Sequence, residues 1–458
     1  MAVIGPDGCD AGGLPTGPDR PTDADPSAGT DSLPAQPPAE GSDGSLGELK
    51  EIPVGVYALL FGVMITMMAV VGQTTVLGKA VFDITGSELS LGYLGLAEFL
   101  PTALLAPVVG PVADRFDRRK VLALGLAGEA TSSILLFSYI RTDPTSATPI
   151  FLIVVIFGAA RALAAPAGRA LPIDLAPRHV VQRVVAVNSV GFQIGIIVGP
   201  IVTGFLFVVD EALPYLFAAG AVSTAACLLV FVPDAGVDRI ENPPGARAAL
   251  VQALEGLRSV RGSPILLGAI SLDLFAVLFG GAVALLPAIA EERLGVGAVG
   301  LGWLRAAAGL GAGLTALNLA LRPVSRRVGR TLLFAVGVFG SATIVLGLTR
   351  SYALAFVALL VLGASDSISV FIRATLVPLA TADSMRGRVL AVENVFIGAS
   401  NELGAFESGV AAHFIGLVGA VVLGGAATLG VVVLWWARFP DLRDVDRFDE
   451  VRPDHEPL

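Results

Sequence analysis

Long apolar runs alternate with short polar breaks along most of this chain, from about residue 55 to residue 437. A run of about 20 apolar residues is enough for a helix to cross the hydrocarbon core of a bilayer. Runs of that kind cover 55–82, 89–113, 120–140, 149–171, 183–209, 212–232, 265–290, 298–321, 330–349, 353–378, 388–416 and 418–437. The pattern therefore predicts an all-α membrane protein with twelve transmembrane helices. One long interior connection, 233–264, separates six runs from six. It holds Asp234, Asp238, Arg239, Glu241, Pro243 and Pro244, followed by AALVQALEGLRSV, whose apolar residues recur at helical spacing. The expected order is a polar tail (1–50), a six-helix bundle (51–232), a linker with an amphipathic helix (233–264), a second six-helix bundle (265–438) and a polar end (439–458). The first tail is rich in Pro, Gly, Asp and Ser and almost free of large apolar residues, so it is expected to be disordered. It lacks the basic start and apolar run of a cleavable signal.

Composition agrees: 54% of residues are hydrophobic and only 15% are charged, against about 25% charged in soluble domains. An ordinary soluble enzyme is excluded. The net charge of −9 comes largely from the tails and short connections and gives no reason to expect a nucleic-acid partner. Basic residues favour one set of connections. Arg115, Arg118, Arg119 and Lys120, then Arg178 and Arg183, the linker arginines, Arg322, Arg326, Arg327 and Arg330, and Arg386 and Arg388 all follow even-numbered runs. The odd connections hold only Arg141, Arg293 and Arg350. Basic loops stay on the cytoplasmic side, so both termini are expected there; three lysines against 27 arginines, with the abundant Gly and Pro, point to a GC-rich bacterial genome and so to a bacterial inner membrane.

The two halves repeat each other. RVVAVNSV from Arg183 aligns with RVLAVENV from Arg388, GPIVTG from Gly199 with GAFESG from Gly404, and FGAAR ending at Arg161 with LGASD ending at Asp366. A single offset of 205 residues relates all three pairs. Same-orientation repeats of six spans are the mark of transporters whose site lies between the halves, near the membrane midplane.

The break after the second run reads GPVADRFDRRK. It resembles the loop signature G-x-x-x-D-R-x-G-R-R/K of the major facilitator superfamily, matched at Gly110, Asp114, Arg115, Arg118 and Arg119, with Asp117 at the usual second Gly. The equivalent second-half break, RPVSRRVGR from Arg322, keeps arginines and Gly329 but lacks the Asp. In that family the loop gates the cytoplasmic side, an Arg pairing with an acid at the end of the fourth helix, for which Asp174 is the candidate. The fifth run, GIIVGPIVTG, is similar to the superfamily's antiporter motif at Gly195, Gly199, Pro200 and Gly204, with Thr203 departing from it. Small residues four apart pack helices closely and Pro200 permits a bend. The resemblance extends over about 55–437 and narrows, through NELGAFESG from Asn401, to the subgroup that includes the enterobactin exporter and the macrolide efflux pumps.

Ionisable residues inside spans are costly, about 2.5 kcal/mol or more each at the helix centre, and are functional candidates by default. Those singled out are Glu98, Glu129, Arg161, Asp273, Arg305, Asp366, Glu393, Glu402 and Glu407. In the family fold, helices 1, 4, 7 and 10 line the cavity, which favours Arg161, Asp273 and Asp366. Arg161 and Asp366 hold equivalent positions in the two halves and are expected to face each other. The candidates for the cavity and for proton coupling are Arg161, Asp273, Asp366, Glu402 and Glu98. Fixed ion pairs holding helices in register are the alternative role for such residues. The sequence has no phosphate-binding loop, since GQTTVLGKA has the wrong spacing, and no H-E-x-x-H among His179, His413 and His455. No metal or other cofactor is expected. The resemblance implies a monomeric, proton-coupled exporter, not an enzyme, with a small organic cargo in a lipid setting. A siderophore-like metabolite is the first expectation and a macrolide or other drug the second. A polytopic enzyme acting on lipids would need a clustered nucleophile, acid and base, which the sequence does not offer.

Overall fold

The computed structural model describes residues 52–233 and 246–452. The tail 1–50 and the first part of the linker, with the expectations placed on them, lie outside the described residues. So does the Asp114 side chain, and Gly110 is described only as part of a helix.

Apolar residues on every side of a helix suit burial in lipid, and the long runs become long helices. The first half contains α1 (Val54–Thr85), α2 (Glu88–Arg115), α3 (Arg118–Ile140), α4 (Thr148–Asp174), α5 (Val181–Val209) and α6 (Leu213–Leu228, extended by a 3-10 turn to Phe231). Helix α7 (Ala246–Gly262) lies in the connection. The second half contains α8 (Pro264–Phe279), α9 (Ala298–Leu321), α10 (Val328–Leu348), α11 (Tyr352–Leu379), α12 (Arg386–Ile415) and α13 (Leu417–Arg438). Among the described residues, ten spans are long and apolar enough to cross a membrane by length and composition. The two others, α2 and α12, are also long, 28 and 30 residues, and hold the acids Glu98, Glu393, Glu402 and Glu407. They pack against each other, so these charges need not meet lipid. Elsewhere large apolar side chains such as Phe205, Phe334, Phe414 and Val433 stand exposed, the surface a bilayer covers.

Two seams join the halves. Along the first, α2 and α12 run antiparallel, with Gly92 against Phe406 and Gly409, and Gly95 against Ala405 and Glu402. Along the second, α5 and α9 run antiparallel, with Gly204 against Ala298, Pro200 against Gly302, and Gln193 against Gly309 and Gly313. A Cβ on Gly302 would come within 2.3 Å of the Pro200 carbonyl oxygen, so only glycine permits this approach. Apolar packing between the halves is concentrated at one end. Phe82 and Leu91 share a cluster with Leu285, Leu286, Leu301 and Val421, and Ala298 joins the first-half cluster around Val76 and Tyr215. At the opposite end, where the arginine-rich loops lie, the clusters each belong to one half. There Leu100, Leu104, Leu314, Leu317 and Val395 are exposed. The halves are joined at the far end and diverge toward the basic end.

The seventh span is not one continuous helix. After Phe279 it passes through Gly280, a 3-10 turn (Gly281–Val283), a single helical turn (Leu286–Ala288) and a π turn (Ile289–Arg293). A Cβ at Gly281 would meet the Gly404 carbonyl oxygen at 2.4 Å, and one at Gly280 would meet the Phe339 ring at 2.4 Å. The two glycines bring α10 and α12 against the break, and the break forms part of a cavity wall.

Candidate functional site

A cavity of about 600 Å³ lies between the halves. Its apolar wall includes Val70, Val71, Ile196, Leu286, Leu301 and Phe339, and its polar wall Thr74, Thr75, Gln193 and Asn401. Five ionisable residues line it: Glu98, Arg161, Arg305, Asp366 and Glu402. At the far end Lys79 Nζ donates to Asp83 Oδ1 and to Glu291 Oε2 of the other half, both at 3.0 Å, which ties the halves together there.

The charged lining is organised around the α2–α12 seam. Arg161 Nη1 is 3.7 Å from Glu98 Oε1, linking α4 to α2. Glu402 on α12 is within electrostatic range of Glu98, Arg161 and Arg305. Arg305 donates weakly to the Val283 carbonyl at 3.4 Å, on the broken seventh span. Glu129, buried on α3, stands in range of Arg161 and Glu98, and its Oε2 has no hydrogen-bond partner. Fully ionised, this group would hold three carboxylates against two guanidiniums inside the membrane. Arg161 thus reaches Glu98 of its own half, while Asp366, expected to face it, lines the same cavity. The repeat makes the two positions equivalent in register, but helix rotation sets the nearest partner.

A second charged group sits inside the second half. Arg373 Nη2 is 2.7 Å from Asp273 Oδ1, and Arg373 Nη1 is 3.5 Å from Glu393 Oε1. Arg373 is only 4% exposed. Asp273, expected on the cavity, lies instead behind its wall, because Arg373 draws it into the packing between α8, α11 and α12. Asp366 joins the two regions: it lines the cavity and lies within electrostatic range of Asp273 and Arg373. Arg373 is absent from the sequence-derived candidates, yet a signal existed, since it follows Asp366 by two helical turns on the same face. Glu407 is half-buried on α12, away from the cavity lining.

At the basic end, Arg118 pairs with Asp174, joining the start of α3 to the end of α4. Asp117 Oδ1 accepts from the Arg119 N–H at 2.9 Å, so the residue that departs from the loop signature is the N-cap of α3. Arg119 Nη1 donates to the Val232 carbonyl at 2.6 Å, anchoring α3 to the end of α6. Arg115 is exposed in the last turn of α2. Gly195 and Gly199 abut α1 at Met64, Met67 and Met68, while Pro200 and Gly204 abut α9. The Thr203 hydroxyl donates to the Gly72 carbonyl at 3.0 Å. Helix α5 is thereby wedged between α1 of its own half and α9 of the other.

The family model described as Major Facilitator Superfamily matches residues 59–349, more than half of the chain. The chain belongs to that superfamily. It is accordingly a multi-pass membrane protein and a secondary transporter, not an enzyme. The chain is 28% identical over 278 residues to the uncharacterized MFS-type transporter YfiS of Bacillus subtilis, covering 60% of this chain and 63% of that relative. This match therefore spans less than two thirds of the relative's length. The enterobactin exporter EntS of Shigella boydii is 26% identical over 397 residues, 84% of this chain and 89% of the exporter. Among solved structures, a bacterial homolog of the human lysosomal transporter Spinster, in an inward-facing and unoccupied conformation, superposes with a TM-score of 0.62 at 16% identity, covering 85% of this chain and 96% of the other. That likeness establishes the superfamily fold.

Proposed function

We propose that this transporter exports a small organic molecule across the bacterial inner membrane in exchange for protons, and that its cargo is siderophore-like. The cluster of Glu98, Arg161, Glu402 and Arg305 carries this reading. It lies in the cavity at a seam between the halves, where a carboxylate can exchange an Arg partner for a proton as the halves rock. Asp366 is the third carboxylate on the wall, within electrostatic range of Arg373 and Asp273. The lopsided arginine distribution supports a cytoplasmic basic end and cytoplasmic termini. With that orientation, the separation of the halves at the basic end corresponds to an inward-facing state, ready to load cargo from the cytoplasm. The Gly110–Arg119 loop with Asp174 then serves as the cytoplasmic gate, and the Gly195–Gly204 segment as the flexing contact between the halves.

Similarity to EntS over most of both chains supports the siderophore class. The guanidinium groups of Arg161 and Arg305 suit an oxygen-rich cargo. A second reading, a macrolide or similar drug, draws support from the apolar wall of Val70, Val71, Ile196, Leu301 and Phe339.

Deletion of the gene, with metabolites compared under iron limitation, tests the cargo. Loss of an iron-chelating metabolite from the medium and its retention in cells is expected. An unchanged secreted profile together with increased macrolide sensitivity would replace the siderophore reading with the drug reading.

A further inference from the structure

The two halves secure their basic loops differently. In the first half the acids come from the half itself: Asp117 caps α3 and Asp174 holds Arg118. In the second, the loop 322–330 contains four arginines and no acid. Its acids arrive from the segment after α13. The Arg327 N–H, at the start of α10 where φ is +54°, donates to Asp446 Oδ1 at 3.1 Å. The next two amides, of Val328 and Gly329, donate to the Asp446 and Val445 carbonyls at 3.2 and 3.1 Å. Asp446 also lies 3.6 Å from Arg326, and Asp444 lies 3.5 Å from Arg330. Leu442, fully buried, fixes this strap against Gly268 of α8 and Gly329 of α10.

The need for these acids follows from the seam register. Helices α5 and α9 run antiparallel with Gly204 at Ala298 and Gln193 at Gly309. Continued toward the basic end, the same register brings Arg183 level with the region of Arg322. When the halves close there, the α9–α10 loop approaches the Arg178–Arg183 segment, and like charges meet. An acid that stays with the loop reduces that repulsion in the closed state more than in the open one, which is the differential a conformational bias requires. Arg443, first, and then Arg330 hold the Asp444 carboxyl below the usual carboxylate range, so it stays ionised near neutrality.

We infer that Asp444 and Asp446 of the C-terminal strap are positioning residues of the transport cycle, substituting for the acids missing from the second-half loop: Asp446 accepts the amide at the start of α10, and both acids neutralise the loop arginines so that the basic end can close. The inference rests on superfamily membership alone and is independent of cargo and coupling ion.

In protein carrying Cys9→Ser and Cys227→Ser, spin labels at Leu104→Cys and Val395→Cys report the opening, since both positions are exposed on the diverging parts of α2 and α12. In full-length protein, Asp444→Asn with Asp446→Asn keeps an oxygen for the Arg327 amide but removes both charges, and is expected to lower the ratio of closed to open forms about fivefold at low salt, the scale of two exposed charge pairs. The shift should shrink at about 1 M salt, where the screening length is about 3 Å. Adding Arg326→Gln and Arg330→Gln should restore the closed form, which repair of packing would not explain. An unchanged distance distribution, or a shift that persists in high salt and resists the arginine substitutions, would overturn the inference. Should the double Asn variant fail to fold, Arg326→Gln with Arg330→Gln alone is expected to raise the closed fraction, and no change there would equally overturn it.

Discussion

Arg373→Met should destabilise the folded protein by about 3–5 kcal/mol, the cost of leaving buried charges without their partner. Arg373 lies between Asp273 and Glu393 and is almost completely enclosed. Removing the guanidinium strands two carboxyl groups buried among α8, α11 and α12. The triple variant Arg373→Met, Asp273→Asn, Glu393→Gln should recover most of the loss, because a neutral group of similar shape avoids the desolvation that the ion pair had to offset. Arg373→Lys should fall between them, since an ammonium is a single point charge and lacks the fork that reaches both acids. Thermal unfolding in detergent, read from the intrinsic fluorescence of the tryptophans, measures the series. A single Met variant as stable as the parent would show that the cluster is not needed to hold the second half together.

The second large effect is on transport. Glu402→Gln should reduce uphill export to background while cargo exchange at equal concentrations stays within about twofold of the parent rate. The glutamine keeps the size and hydrogen-bonding capacity of the side chain but cannot gain or lose the proton. Rocking of the halves and cargo contact with the cavity wall are left intact, and the link to the proton gradient is lost. Export and exchange assays on the same purified variant separate the two. Loss of both activities in properly folded protein would assign Glu402 to cargo binding or to the seam itself.

The length of the apolar runs made the spans legible, and the common offset of Arg183, Gly199 and Arg161 from their second-half counterparts made the two halves legible. Even α2 and α12, with their acids, were readable as spans because apolar residues surround Glu98 and because α12 repeats α5 at the common offset. Side-chain pairing was much less legible. Arg161 could be placed on the cavity by its position in α4, but its choice of Glu98 over Asp366 depends on helix rotations that no periodicity gives. Asp273 was assigned to the cavity because its span lines it, whereas Arg373 determines where the carboxylate points. The break at Gly280 and Gly281 is likewise a tertiary fact, since glycines are common throughout these helices and only the approach of Gly404 and Phe339 gives these two their role. The C-terminal strap was least legible of all: the missing Asp in the loop after Arg322 was visible, but not that Asp444 and Asp446 replace it from more than a hundred residues away.

The central claim is that protons drive cargo through this cavity. Its most direct measurement is export by purified protein in liposomes under an imposed pH difference, with membrane potential clamped. One pH unit is worth about 1.4 kcal/mol per proton, enough to sustain about a tenfold cargo gradient at one proton per cargo. Cargo should accumulate on the acidic side, with the gradient collapsing when a protonophore is added. Accumulation that is indifferent to pH and to the protonophore, or that follows a sodium gradient instead, would contradict the claim.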